Sequence, residues 1–197
     1  MTSFLGKEEW GRDMGFSSFW KFFWNFWRSP QQIGGLFPSS RVLARAIAGT
    51  AQSFLLDSSP LIVEVGPGTG ALTRELNVTG IPLILLERDI SFYRDLRRRF
   101  PELKIICEDF LKTSLFDEVN RGAVIVSSLP LRSLEKVEVF TERFRDLLLS
   151  GKVRAVIQYS YGLRDPLSIQ DRRVEVRREK WILWNLPPAF IWSYRLK

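Results

Sequence analysis

Apolar runs of four to seven residues alternate with amphipathic stretches over most of the chain. The runs Leu61–Val65, Pro82–Glu87, Leu103–Cys107, Ala123–Ser127, Val153–Tyr159, Arg173–Arg177 and Ala189–Tyr194 predict seven strands. Between them the spacing predicts helices over Ala71–Leu76, Ile90–Phe100 and Leu134–Leu149, the last capped by Ser133 and stopped by Gly151. A further helix is expected to open at Pro38-Ser39-Ser40 and to bury Val42, Leu43, Ala46 and Ile47. Such alternation implies an α/β fold: an open, mostly parallel sheet with helices on both faces. The stretch Arg178–Pro188 reads as a polar loop too short for a crossover helix, so the last two strands are expected to pair antiparallel.

The first strand ends in Gly66-Pro67-Gly68-Thr69-Gly70, and a helix follows at once. In an open parallel sheet the ligand lies beyond the carboxyl ends of the strands, where the strand order reverses. Absent side chains in this turn let a ligand approach the backbone. Glu87 ends the second strand about twenty residues later, the spacing at which an acidic residue hydrogen-bonds ribose hydroxyls. Asp109 ends the third. A dinucleotide turn places its third glycine one residue further on and faces a pyrophosphate; here Glu64 stands two residues before Gly66. A carboxylate there disfavours pyrophosphate and suits a cofactor with a sulfonium and an ammonium group. S-adenosylmethionine, leaving S-adenosylhomocysteine as product, fits that description.

A different pattern occupies the N-terminus. In Met14–Ser29, helical spacing gathers Ser17, Ser18, Lys21, Asn25 and Arg28 on an arc of roughly 100°. Phe16, Phe19, Trp20, Phe22, Phe23, Trp24, Phe26 and Trp27 fill the remainder. The segment is shorter than the ~20 apolar residues a span needs. Two placements remain: a helix lying in a membrane interface, with Lys21 and Arg28 on lipid phosphates, or a helix packed on the protein's own core. The wide aromatic face favours the interface. Residues 1–37 are accordingly read as a membrane-binding arm, and residues 38–197 as the catalytic domain.

Composition narrows the chemistry. The 197 residues contain no histidine and one cysteine, which removes zinc sites, intrachain disulfides and histidine-based nucleophilic catalysis; no metal is expected. Net charge is +7, and residues 151–197 hold ten Lys/Arg against four Asp/Glu. That excess suits a polyanion, either nucleic acid or an anionic membrane. Met1–Trp10 lacks the pattern of a secretory signal, so a cytoplasmic protein is expected.

The segments EVGPGTGALTREL and LLERDISFYRDLRRRFP, the step Glu108-Asp109-Phe110 and the turn Ser127-Ser128-Leu129-Pro130-Leu131 together resemble class I methyltransferases. Within that class the chain resembles two related groups, the ribosomal RNA adenine dimethylases and the bacterial phospholipid N-methyltransferases. Likeness to the lipid enzymes includes Pro38-Ser39-Ser40, Phe92-Tyr93, Gln158-Tyr159-Ser160-Tyr161-Gly162 and the stretch Asn185–Arg195. The resemblance implies a Rossmann-like fold that binds S-adenosylmethionine through Glu64, Gly66, Gly68, Gly70, Glu87, Asp109, Phe110 and Ser127. Adenine dimethylases carry Asn-Leu-Pro-Tyr at the fourth strand, where Ser128 and Leu131 stand here in place of the Asn and the aromatic residue. On that departure and the aromatic arm, the expected acceptor is the headgroup amine of phosphatidylethanolamine, methylated towards phosphatidylcholine.

On this reading the protein is a peripheral enzyme on the cytoplasmic face of an anionic membrane, and nucleic acid is not its partner. Ser128, Tyr159 and Tyr161 are candidates for holding the amine, the tyrosines by cation–π attraction worth about 0.5–2 kcal/mol. Lys21, Arg28, Trp20, Trp24, Trp27 and Arg132 are candidates for lipid contact. Arg172, Arg173, Arg177, Arg178 and Lys180 offer a second basic surface, for lipid or for RNA. No general base is assigned; water, the lipid phosphate or a tyrosine could take the proton. Two alternatives stand beside this reading: an RNA adenine N6-methyltransferase, and a binding protein that keeps the fold without catalysis.

Overall fold

Four buried aliphatic strands form the middle of the protein because each is apolar on both faces, as strands covered by helices on two sides must be. In the computed structural model, which describes residues 38–55, 60–119, 122–131, 134, 136–183 and 188–197, these are β1 (Ile62–Val65), β2 (Leu83–Leu86), β4 (Ala123–Ser127) and β5 (Val153–Ser160). β3 (Lys104–Ile106), β6 (Val174–Ile182) and β7 (Ala189–Leu196) complete a seven-stranded sheet in the order β3-β2-β1-β4-β5-β7-β6. Strands β1 to β5 pair parallel, whereas β7 runs antiparallel between β5 and β6. The expected architecture is thus the observed one.

Helices cover both faces. Leu43, Ile47 and Ala51 of α1 (Pro38–Gln52), Leu72 and Leu76 of α2 (Ala71–Asn77) and Leu96 of α3 (Ile90–Arg99) pack with Ile62, Val124 and Ile157. On the opposite face Leu115 and Phe116 of α4 (Leu115–Glu118) and Phe144, Leu147 and Leu148 of α5 (Val137–Leu149) pack with Val63, Ile125 and Val156. Truncating one of these fully buried side chains to Ala typically costs about 2–5 kcal/mol.

Several boundaries differ from expectation, each for a local reason. The buried face of α1 is Leu43, Ala44, Ile47, Ala48 and Ala51, while Val42 is exposed, so the helix is rotated from the predicted face. Helix α5 starts at Val137 with Lys136 at its N-cap position and no side-chain cap; Ser133, the expected cap, lies outside the described residues. Helix α3 has a cap that was not predicted: Asp89 accepts from the amides of Ser91 and Phe92. β6 continues to Ile182 through the polar run Arg177–Lys180, because pairing with β7 rather than burial maintains it, with an irregularity between Arg178 and Lys180. The expected arm, with Trp20, Lys21, Trp24, Trp27 and Arg28, lies outside the described residues, as does Arg132.

Candidate active site

From β1 the chain proceeds outward through β2 to β3, then returns to place β4 on the other side of β1. The strand order therefore reverses between β1 and β4, and a crevice opens beyond their carboxyl ends. Gly66 follows β1 and Ser128 follows β4. The amide of Ser128 donates to Val65 O at 2.9 Å, and that of Gly66 donates to Leu86 O at 2.9 Å, which fixes the two turns against the sheet.

The glycine turn contains two opposite environments. A Cβ on Gly66 would lie 2.7 Å from Leu129 Cδ2, so the acceptor-side turn packs directly on the first glycine. A Cβ on Gly68 would meet nothing within 4 Å. Gly68 has φ +54, and its open side is the cradle into which a ligand can approach the backbone. Its amide donates to Glu87 Oε2 at 3.0 Å, and Glu87 Oε1 accepts from the amide of Asp89 at 2.9 Å. The ribose-binding carboxylate expected from spacing thus also shapes the turn. Arg99 Nη1 donates to Thr69 O from the other side.

Glu64 is fully buried under this turn. Oε2 accepts from Thr73 Oγ1 at 2.6 Å, and Oε1 accepts from Ser128 Oγ at 3.2 Å. Burial pushes its carboxyl from 4.5 up to about 7, the two hydroxyl donors oppose the rise, and the charge of Glu87 adds to it. Among the described residues no cation pairs with this buried carboxylate, and a ligand bearing a sulfonium and an ammonium group would supply one. Asp109 Oδ1 accepts from the amide of Leu111 at 2.8 Å, and Oδ2 is 3.8 Å from Arg88 Nη1. With the open cradle at Gly68, these carboxylates fit S-adenosylmethionine.

Two expected cofactor contacts take a different form. The Phe110 ring is buried among Phe116, Phe140 and Phe144, with centroids at 5.9, 6.2 and 4.6 Å, so only its backbone is free to reach a cofactor. Ser127 is fully buried and its Oγ has no partner; it lies in register with Gln158 beneath the Ser128–Leu131 turn.

The acceptor side is assembled from β4 and β5. Ser128 links the two halves of the site through its bond to Glu64. Tyr159 is half-buried, and burial followed by the nearby charge of Glu64 pushes its hydroxyl up to about 12, so it stays protonated. Its ring meets that of Tyr161 edge-on, 5.9 Å between centroids at 83°. Leu131, at the position of the family's aromatic residue, is buried in the core.

Sequence reasoning missed Thr73 and Gln158. Gln158 Nε2 donates to Leu129 O at 3.3 Å and to Tyr159 O at 2.9 Å, tying the acceptor turn to β5. Thr73 stands in the quoted segment EVGPGTGALTREL, one helical turn beyond the glycines, and that spacing was its available signal. Gln158 stands in the quoted stretch Gln158–Gly162, but its role depends on β4 and β5 being neighbours, which no local pattern shows.

Against known proteins, the model of the ribosomal RNA adenine dimethylase family matches residues 37–141, just over half of the chain. The chain belongs to the ribosomal RNA adenine dimethylase family. It is 35% identical over 106 residues to the ribosomal RNA small subunit methyltransferase A of Thermotoga maritima, covering 52% of this chain and 36% of that protein. To the protein of the same name from Chlorobium phaeobacteroides it is 32% identical over 135 residues, covering 68% of this chain and 48% of that one. The chain thus spans about a third to a half of the length of these curated relatives.

Among solved structures, the 23S rRNA methyltransferase ErmE aligns with a TM-score of 0.55 at 19% identity, over 80% of this chain and 68% of that one. Magnesium protoporphyrin IX methyltransferase from Synechocystis, solved with bound S-adenosylmethionine, aligns with a TM-score of 0.63 at 10% identity, over 97% of this chain and all of that one. At such identities these show the methyltransferase fold alone. The family match and these neighbours give the chain the fold of S-adenosylmethionine-dependent methyltransferases.

The comparisons overturn the lipid reading. The family and the curated relatives are named for methylation of ribosomal RNA, which contradicts phosphatidylethanolamine as substrate, a membrane as partner and the exclusion of nucleic acid. The segments shared with the family from the glycine turn through β4 outweigh the two departures, Ser128 and Leu131, and the aromatic composition of the N-terminal segment. Among the described residues no helix is long and apolar enough to cross a membrane.

Proposed function

We propose that the protein transfers methyl groups to the exocyclic N6 amine of adenine in RNA. The observation that carries this reading is the family match over residues 37–141, which runs from the start of α1 through the cofactor turn, Glu87, Asp109 and the Ser128–Leu131 turn into α5. Bound S-adenosylmethionine supplies an electrophilic methyl group. The open cradle at Gly68 would admit it, with Glu64 offering a carboxylate to its positive charge and Glu87 one to its ribose.

The remaining work is to hold and orient an amine. Adenine N6 is uncharged at neutral pH, so no base has to remove a proton before attack, which suits a chain with no histidine. A single proton leaves the nitrogen after it has gained the methyl carbon, and water accepts it. Ser128 Oγ and the carbonyls of the turn can accept from the amine, and Gln158 fixes the turn that carries them. The edge-on pair Tyr159 and Tyr161 provides the aromatic surface that Leu131 does not, at the end of the neighbouring strand. A base turned out of its stack would lie against those rings.

The test is partition of label. With labelled S-adenosylmethionine, unstructured RNA and phosphatidylethanolamine vesicles in one reaction, label is expected in the RNA. Label confined to the vesicles, or in neither acceptor while cofactor binds, would overturn the reading.

A further inference from the structure

We propose that the carboxyl end of the β6–β7 ribbon is an aromatic and cationic shelf that binds single-stranded RNA flanking the target base. β6 runs in the same direction as β5, because both pair antiparallel with β7. Its end at Lys180–Ile182 and the start of β7 at Ala189 therefore lie at the same edge of the sheet as the glycine turn and Ser128. Three strand steps separate β4 from β6, about 14 Å at ordinary spacing. That is within the span of a few nucleotides.

The shelf consists of Arg178, Trp181, Phe190 and Trp192, all on one face of the ribbon. Trp181 is 60% exposed at the outermost strand of the sheet, an unusual position for the largest apolar side chain. Its indole stacks on Phe190 with centroids 5.7 Å apart at 19°, which holds the ring in a fixed plane. The Arg178 guanidinium lies 5.7 Å over Phe190 and 6.0 Å over Trp192. Trp192 Nε1 donates to Ser160 Oγ at 3.2 Å, fastening the shelf to the end of β5 on the face of the sheet opposite Tyr159 and Tyr161.

Charge selects the occupant. Arg173 and Arg177 are neutralised by Asp171 and Glu175, whereas Arg178 and Lys180 form no ion pair with a carboxylate among the described residues. Glu179, the acidic residue between them, accepts from Ser193 Oγ on the opposite face of the ribbon. The exposed face of Trp181, backed by the buried Phe190 and set beside two cations, matches the combination that binds single strands, a base stacking on the ring and phosphates meeting the cations.

This inference rests on the RNA reading, and the test separates the two. A short, unstructured, fluorescein-labelled RNA is titrated with the full-length protein and with Trp181→Ala, Trp181→Phe and Arg178→Ala, measuring anisotropy as salt is raised. Trp181→Ala is expected to weaken binding about 5- to 100-fold, with Trp181→Phe recovering most of it. Arg178→Ala should flatten the slope of log affinity against log salt by about 0.7. Cofactor binding, measured alongside, should be unchanged in all three variants and reports that they are folded.

RNA affinity and salt slope equal to wild type in every variant would overturn the shelf, even if RNA is methylated. Wild-type protein that binds no RNA would overturn it as well, as would losses seen only with anionic vesicles. RNA binding that depends on Trp181 without methyl transfer to RNA would support the shelf and refute the proposed reaction instead.

Discussion

Replacing Glu64 by Gln should stabilise the cofactor-free protein while abolishing tight cofactor binding. The Glu64 carboxyl is raised from 4.5 to about 7, chiefly by burial. Its folded-state pKa exceeds its unfolded value, so the protonated carboxyl is tolerated below about pH 4.5 without penalty. Stability is then lost as pH rises towards the folded pKa and stays lost above it. The rise from 4.5 to about 7, at about 1.4 kcal/mol per tenfold change in proton affinity, sets an upper bound of about 3.5 kcal/mol. Gln cannot ionise, so Glu64→Gln removes this penalty, offset by up to about 1–3 kcal/mol if its amide N–H finds no acceptor beside Thr73 and Ser128. Urea unfolding at pH 4.5 and pH 8, for both proteins without cofactor, isolates the term as the change in their difference. That difference should move by about 2–3 kcal/mol in favour of the variant between the two pH values. With saturating S-adenosylmethionine the wild type should recover stability at pH 8 and the variant should not. An unchanged difference across this range would refute the claim that Glu64 is a buried charge awaiting a cationic ligand.

Cofactor affinity of the wild type should fall as pH drops below about 7, because the cation is matched by the ionised carboxylate. Thr73→Val removes a donor that lowers this pKa, so the midpoint of that pH dependence should move upward, as isothermal titration across pH would show. Gly68→Ala should weaken cofactor binding at least tenfold at a cost of about 1–2 kcal/mol in stability, since its φ is left-handed but its surroundings are open. Gln158→Leu frees the carbonyls of Leu129 and Tyr159; it should lower kcat with little change in cofactor affinity, and Gln158→Glu should not restore it because both partners are acceptors. Tyr159→Phe should retain most activity and Tyr159→Ala should lose it. The wild-type rate should show no titration of this hydroxyl up to pH 10, because its pKa is about 12.

The fold was legible because its central strands are buried on both faces and read as unbroken aliphatic runs. The antiparallel final pair followed from the short connection between the last two strands, whereas the strand order became visible only in the structure. What escaped was whatever depends on a neighbour distant in sequence. Arg177–Lys180 is polar and carries no strand pattern, yet β7 holds it in the ladder. The rotation of α1, which exposes Val42, depends on which helix face meets the sheet. The cofactor half of the site was readable because glycine spacing and strand-end carboxylates are local signals. On the acceptor side Ser128, Tyr159 and Tyr161 were readable as candidates, but the tie of Gln158 to Leu129 was not, since it forms only once β5 lies beside β4. The departures at Ser128 and Leu131 carried the choice of acceptor, because the sequence does not show that the tyrosine pair lies on the strand next to that turn.

The central claim is the identity of the methylated atom. After reaction with S-adenosylmethionine, RNA is digested to nucleosides and analysed by mass spectrometry. The account predicts adenosine methylated at N6, absent when Glu64→Gln replaces the wild type. Methyl groups on another nucleoside or another adenine nitrogen, or RNA left unmethylated while phosphatidylethanolamine is converted, would contradict it.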